Sequence, residues 1–197
     1  MNILIVAGSQ RPDSRSAAIA HLIRDRLENT HPNCETDIVS LGDMPAQWRF
    51  GEAVDTSGLA ERVRAAHGFV ILAPEWNGMA TPALKNLFLL EGENLFANKP
   101  AALIGVSEGA GGVYPMAELR MSAHKNTLIC FTPVGYCIRK ASAFIADTKA
   151  AIADDAMIPE TWDRVDYSLA VLVAYTKALA EMRRAQPEIA GFRYNGF

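Results

Sequence analysis

The sequence predicts an open α/β sandwich built on a largely parallel sheet, and three observations carry that prediction. Five short runs are apolar almost throughout, as strands covered on both faces are. Segments with apolar residues at helical spacing lie between them. The two kinds alternate along the chain, which is the order that crossover connections of a parallel sheet require.

The first run, NILIVAG from Asn2, reads as a strand. Ile19, Leu22, Ile23 and Leu27 then repeat at helical spacing between the turn-rich stretches GSQRPDS and NTHPN. ETDIVSL, from Glu35, is a weaker strand; a loop with Gly42, Pro45, Gly51 and Gly58 follows, and LAERVRAAH is a short helix. GFVILA, from Gly68, is the third strand and TPALKNLFLL the third helix, with Pro82 suited to its first turn. AALIGVS, from Ala101, is the fourth strand; YPMAELRMSAH is a helix and TLICFTPVG, residues 127–135, the fifth strand. A long helical pattern runs from Trp162 through Val165, Leu169, Leu172, Thr176 and Leu179 and stops near Pro187. Residues 141–156 fit neither template. The expected organisation is one domain over 1–186 and a tail over 187–197.

Composition narrows the classes. Of 197 residues, 50% are hydrophobic and 21% charged, with a formal net charge of −3. Lysine and arginine are scattered, so no footprint for nucleic acid or an anionic membrane surface is present. Cys34, Cys130 and Cys137 form no CxxC pair and read as buried small hydrophobes in a reducing compartment. MNILIVAGSQ enters an apolar strand without a basic segment or a small-residue cleavage site, and the apolar runs fall short of a bilayer span; a cytoplasmic location is expected. The four histidines, at 21, 31, 67 and 124, share no ligand spacing, and no metal site is expected.

In open parallel sheets, ligands sit beyond the carboxyl ends of the strands, where strand order reverses. Three loops there hold the informative residues. GSQRPDSRS brings the hydroxyls of Ser9, Ser14 and Ser16 and the Arg11 guanidinium to a helix start, an assembly suited to phosphate. The same residues also fit a plain helix cap at Asp13 or Ser14 with a solvated Arg11. PEWNGMAT sets Trp76 where it could lie against a flat ring, with Gly78 allowing close backbone approach; alternatively, Trp76 caps the sheet edge. SEGAGGVY offers Ser107 and the glycines Gly109, Gly111 and Gly112 as donors on tight backbone, or as a simple connection. Phosphate at one mouth and a flat ring at the next two describe a mononucleotide. Neither G-x-G-x-x-G nor a P-loop is present.

On these two motifs the chain resembles the NADPH-dependent FMN reductase family, flavodoxin-like proteins that include azo-dye, quinone and chromate reductases. GSQRPDS matches the family's G-S-x-R-x-x-S loop, and PEWNGMATPALKN its P-E-Y-N turn followed by L-K-N. The resemblance implies a flavodoxin-like three-layer sandwich with a five-stranded parallel sheet in the order 2-1-3-4-5. It also implies FMN as cofactor and NADPH or NADH as hydride donor. Electrons would pass in ping-pong order to a flavin, quinone or similar small-molecule acceptor, with no indispensable acid–base side chain because the flavin carries the chemistry. By position, Ser9, Arg11, Ser14 and Ser16 would hold the phosphate. Pro74, Glu75, Trp76, Asn77 and Gly78 would border the ring and ribityl chain, and Ser107, Gly109, Gly111 and Gly112 the ring's other edge. A homodimer or homotetramer is implied, without nucleic acid or membrane partners.

Three positions depart from the family pattern: Trp76 for tyrosine, Ser16 for asparagine, and Leu89 for an aspartate associated with subunit contacts. The LFLL segment is nearly apolar all round and is expected to be buried, within the chain or against another subunit. Asp13 and Glu108 are expected to face outward, away from an anionic cofactor. GVSEG fits the G-x-S-x-G elbow of serine hydrolases, but the one histidine after Ser107, His124, leaves no room for the acid and strands that must intervene. The alternative from another class is a flavodoxin-like binding or electron-carrier module without reductase turnover.

Overall fold

The computed structural model describes residues 1–44, 58–89, 95–153 and 160–190. Its sheet is centred on β1 (Asn2–Ala7) and β3 (Gly68–Trp76), which pair in parallel with Ala7 opposite Leu72. β2 (Glu35–Ser40) flanks β1, and β5 (Pro100–Val106) flanks β3, both in parallel. Two short strands, β6 (Cys130–Phe131) and β7 (Tyr136–Ile138), pair along β5 and share the fifth position. β4 (Met79–Ala80) folds back antiparallel on the end of β3.

The main strands therefore follow the expected order 2-1-3-4-5, with two differences in detail. The fifth strand, expected over 127–135, is interrupted. Pro133 has no N–H to give to a ladder; Thr132 still bonds to Ala101 O at 2.9 Å, and the chain rejoins β5 only at Tyr136. The antiparallel β4 is the second difference.

Alternation of side chains sorts the core into two halves. Ile3, Ile5, Val70, Leu72, Ala102 and Ile104 meet α1 (Arg15–Thr30), α6 (Ala141–Ala153) and α7 (Thr161–Ala185) on one face. Leu4, Val6, Phe69, Ile71, Ala101 and Leu103 meet α2 (Leu59–Ala65), α3 (Pro82–Leu87) and α4 (Val113–Ser122) on the other. These are the three layers, flavodoxin-like in arrangement. Double coverage explains why every residue of β5 is buried and why the strands read as continuous apolar runs.

The segment over 141–153 that fitted neither template is α6. Its buried stripe is Ala141, Phe144, Thr148 and Ala151, so helical spacing is carried mostly by small or polar residues. Phe144 lies 5.2 Å from the Trp162 ring, and Trp162 Nε1 donates to Thr148 Oγ1 at 3.1 Å. A four-residue helix, α5 (His124–Thr127), follows α4, and another, α8 (Pro187–Ala190), follows α7. Helix α3 is shorter than the expected 81–90: Leu87 is fully buried, but Leu89 is half exposed, against the expectation of burial. Leu90, with Pro45, Gly51 and the end of the tail, lies outside the described residues.

Candidate active site

The parallel register brings the carboxyl ends of β1, β3 and β5 to one edge: Ala7 is opposite Leu72, and Pro74 opposite Val106. Order reverses between β1 and β3, whose successors run to opposite sides of the sheet. All three loops singled out in the sequence open at this edge.

In the first loop, Ser14 is the cap of α1, its Oγ accepting from Ala17 N at 3.1 Å. Ser9 is buried and accepts from Arg11 N at 3.2 Å. Both hydroxyls thus act as acceptors toward the backbone and keep a proton to donate. Ser16, only 2% exposed, lies beside them on the first turn of α1. Three serines gathered at the first turn of a sixteen-residue helix suit an anion at that terminus. Asp13 is exposed, with φ 51°, and Glu108 faces outward to Ser142 and Arg15, as expected of both.

The second loop is a tight hairpin. Trp76 pairs with Met79 across Asn77 (φ 50°) and Gly78 (φ 76°), two successive positive-φ residues that match the Asn-Gly preference of type I′ turns. A side chain at Gly78 would meet no other protein atom, so within the chain itself it is the positive φ of the turn that calls for glycine here. Pro74 is buried, and Glu75 and Trp76 are half-buried. The Arg11 guanidinium lies over the Trp76 ring, 4.8 Å from its centroid, so the first two loops touch.

Glu75 reaches the third loop. Its Oε2 accepts from Gly112 N at 2.5 Å, at the start of α4, where Gly112 has φ 105°. The negative carboxylate therefore occupies the positive end of that helix. Ser107 Oγ accepts from Gly109 N at 3.2 Å, and Ser107 N donates to Ile138 O. Gly109 is exposed, and Gly111 packs against the Glu75 carboxylate. Cys137 lies against Gly112 with its thiol pKa pushed up by burial, a protonated rather than a reactive sulfur.

Two residues that frame this edge were not found in the sequence. Thr81 Oγ1 donates to Gly8 O and accepts from Leu84 N at 3.3 Å, tying the first loop to the start of α3. Thr followed by Pro82 was a readable helix-start signal. Glu118, on α4, accepts from Ala80 N at 2.8 Å and from Lys85 Nζ at 2.7 Å. Lys85 first, then the Ala80 amide, hold its carboxyl below the ordinary range. No local pattern announces Glu118.

Comparison with known proteins agrees with this arrangement. The family model for NADPH-dependent FMN reductase matches residues 1–137. The NADPH azoreductase of Bacillus sp. (strain OY1-2) is 28% identical over 123 residues, covering 62% of this chain and 68% of that protein. The probable NADPH:quinone oxidoreductase 1 of Oryza sativa subsp. japonica is 29% identical over 131 residues, covering 61% and 65%. The matches thus span about two thirds of these relatives' lengths. Among solved structures, the FerB flavoenzyme NAD(P)H:(acceptor) oxidoreductase from Paracoccus denitrificans superposes with a TM-score of 0.64 at 19% identity, covering 91% of this chain and 97% of that one. This last likeness is one of fold. The chain belongs to the NADPH-dependent FMN reductase family, a class of oxidoreductases that work with FMN and NADPH.

Proposed function

We propose that this protein is an FMN-dependent NAD(P)H oxidoreductase acting on a small-molecule acceptor such as a flavin, a quinone or an azo compound. The observation that carries the reading is the first loop: three serines, all buried, and an exposed arginine gathered at the start of α1. In this reading Ser9, Ser14, Ser16 and Arg11 hold the FMN phosphate. Pro74 to Gly78 and Ser107 with Gly109, Gly111 and Gly112 border the ring from either side. Glu75 in addition fixes the third loop, its carboxylate accepting from Gly112 N. The chemistry supplied by bound FMN is ping-pong hydride transfer, from NADPH or NADH and then to the acceptor.

Initial-velocity measurements with NADPH and a benzoquinone test this. Parallel double-reciprocal lines are expected; intersecting lines contradict the ping-pong order. Flavin that stays bound without any turnover favours the electron-carrier alternative.

We also propose a homo-oligomer. Met79, Val113, Tyr114 and Met121, on β4 and α4, and Leu89, just after α3, are all more than half exposed, more large apolar side chains than one edge of a monomer ordinarily shows to water. Sedimentation as a monomer contradicts it.

A further inference from the structure

Arg11 is held from three directions. Its N–H donates to Ser9 Oγ at 3.2 Å. Its carbonyl is packed by the turn after β2, where a Cβ on Gly42 would lie 2.6 Å from Arg11 O. Its guanidinium makes no hydrogen bond or ion pair among the described residues and rests instead on the Trp76 ring at 4.8 Å. An exposed arginine with no such contact would spread over many rotamers, and ordering it on a ligand would oppose binding. Tryptophan is the aromatic side chain on which a guanidinium is held best.

We infer that Trp76 is a positioning residue for Arg11: the indole face holds the guanidinium at the mouth of the first loop, so Trp76 serves the phosphate end of the site. The inference rests on the FMN reading above and changes the part Trp76 plays in it. A ring face that carries a guanidinium is not free to stack an isoalloxazine. The hairpin supports the arrangement, because the Asn77–Gly78 turn and the Trp76–Met79 pairing fix the direction in which the indole leaves the sheet. Two loops far apart in the chain thereby share one cationic group.

The test is a double-mutant cycle read with two ligands that differ only in the phosphate. Dissociation constants for FMN and for riboflavin are measured by flavin fluorescence with the wild type, Arg11→Ala, Trp76→Leu and the double variant. Trp76→Leu is expected to weaken FMN about three- to thirty-fold and to leave riboflavin unchanged. In the Arg11→Ala background the same substitution is expected to have no further effect on FMN; with Arg11 present, Trp76→Phe is expected to lose only a few-fold, less than Trp76→Leu. Equal losses for FMN and riboflavin overturn the inference and return Trp76 to the ring, while the FMN reading stands. Losses that simply add in the double variant overturn it as well. If Trp76→Leu does not fold, Trp76→Phe in the two Arg11 backgrounds completes the cycle, with a few-fold loss expected in the first and none in the second. A wild type that binds riboflavin but gains nothing from the phosphate contradicts the phosphate-loop assignment itself.

Discussion

At the scale of single residues, this edge of the sheet is held together by side chains that cross between loops. Thr81 is fully buried, and its hydroxyl both caps α3 and donates to the Gly8 carbonyl. Thr81→Val keeps the shape and removes both bonds, leaving a buried carbonyl and a helix amide unpaired. A loss of about 1–3 kcal/mol is expected in urea unfolding, with Thr81→Ser recovering part of it; an unchanged midpoint would contradict the role. Residues of this kind explain what the sequence withheld. The serines, Arg11, Trp76 and the glycines could be placed at one edge by the rule for parallel sheets alone. The partners of Thr81, Glu118 and Glu75 lie 73, 38 and 37 residues away. Such bonds leave no periodicity to read, and the tie from Glu75 to the start of α4 is one of them.

At the scale of elements, strands were legible where burial on both faces made them uniformly apolar, and helices where large apolar residues made the stripe. α6 was missed because alanine and threonine carry its stripe, and the fifth strand was drawn too long because Pro133 was read through. The Asn77–Gly78 hairpin was a signal present and not used. A further element-scale device lies at the opposite end of the sheet. Lys99 is buried, and its Nζ donates to Val63 O at 2.9 Å and Arg64 O at 2.8 Å, closing the last turn of α2. Burial foremost, with Arg183 and Arg64 adding to it, brings its pKa down to about 8. Below pH 8 the group is charged in both folded and unfolded states. Between pH 8 and its ordinary value of 10.5 the unfolded chain binds more protons, so this group adds stability as pH rises. The rise is expected to be about 2 kcal/mol from pH 8 to 10 and to vanish in Lys99→Met, compared by urea unfolding at each pH. An equal slope in both proteins would contradict it.

At the scale of the whole molecule, topology brings together what composition could only exclude. A net charge of −3 with scattered lysine and arginine offers no nucleic-acid footprint and names no ligand. The reversal of strand order between β1 and β3 marks the edge at which open parallel sheets hold ligands, and in the proposed reading the residues there suit an anion at the start of α1 and a flat group beside the hairpin. The family match then agrees with a reading built from these parts.

The most direct measurement is the visible spectrum of the protein after mixing with FMN and removing the excess, recorded again after anaerobic addition of NADPH. A flavin spectrum that stays with the protein and bleaches on addition is the predicted result. Protein that emerges without flavin would contradict the account at its centre, and flavin retained but never reduced by NADPH or NADH would contradict the oxidoreductase reading.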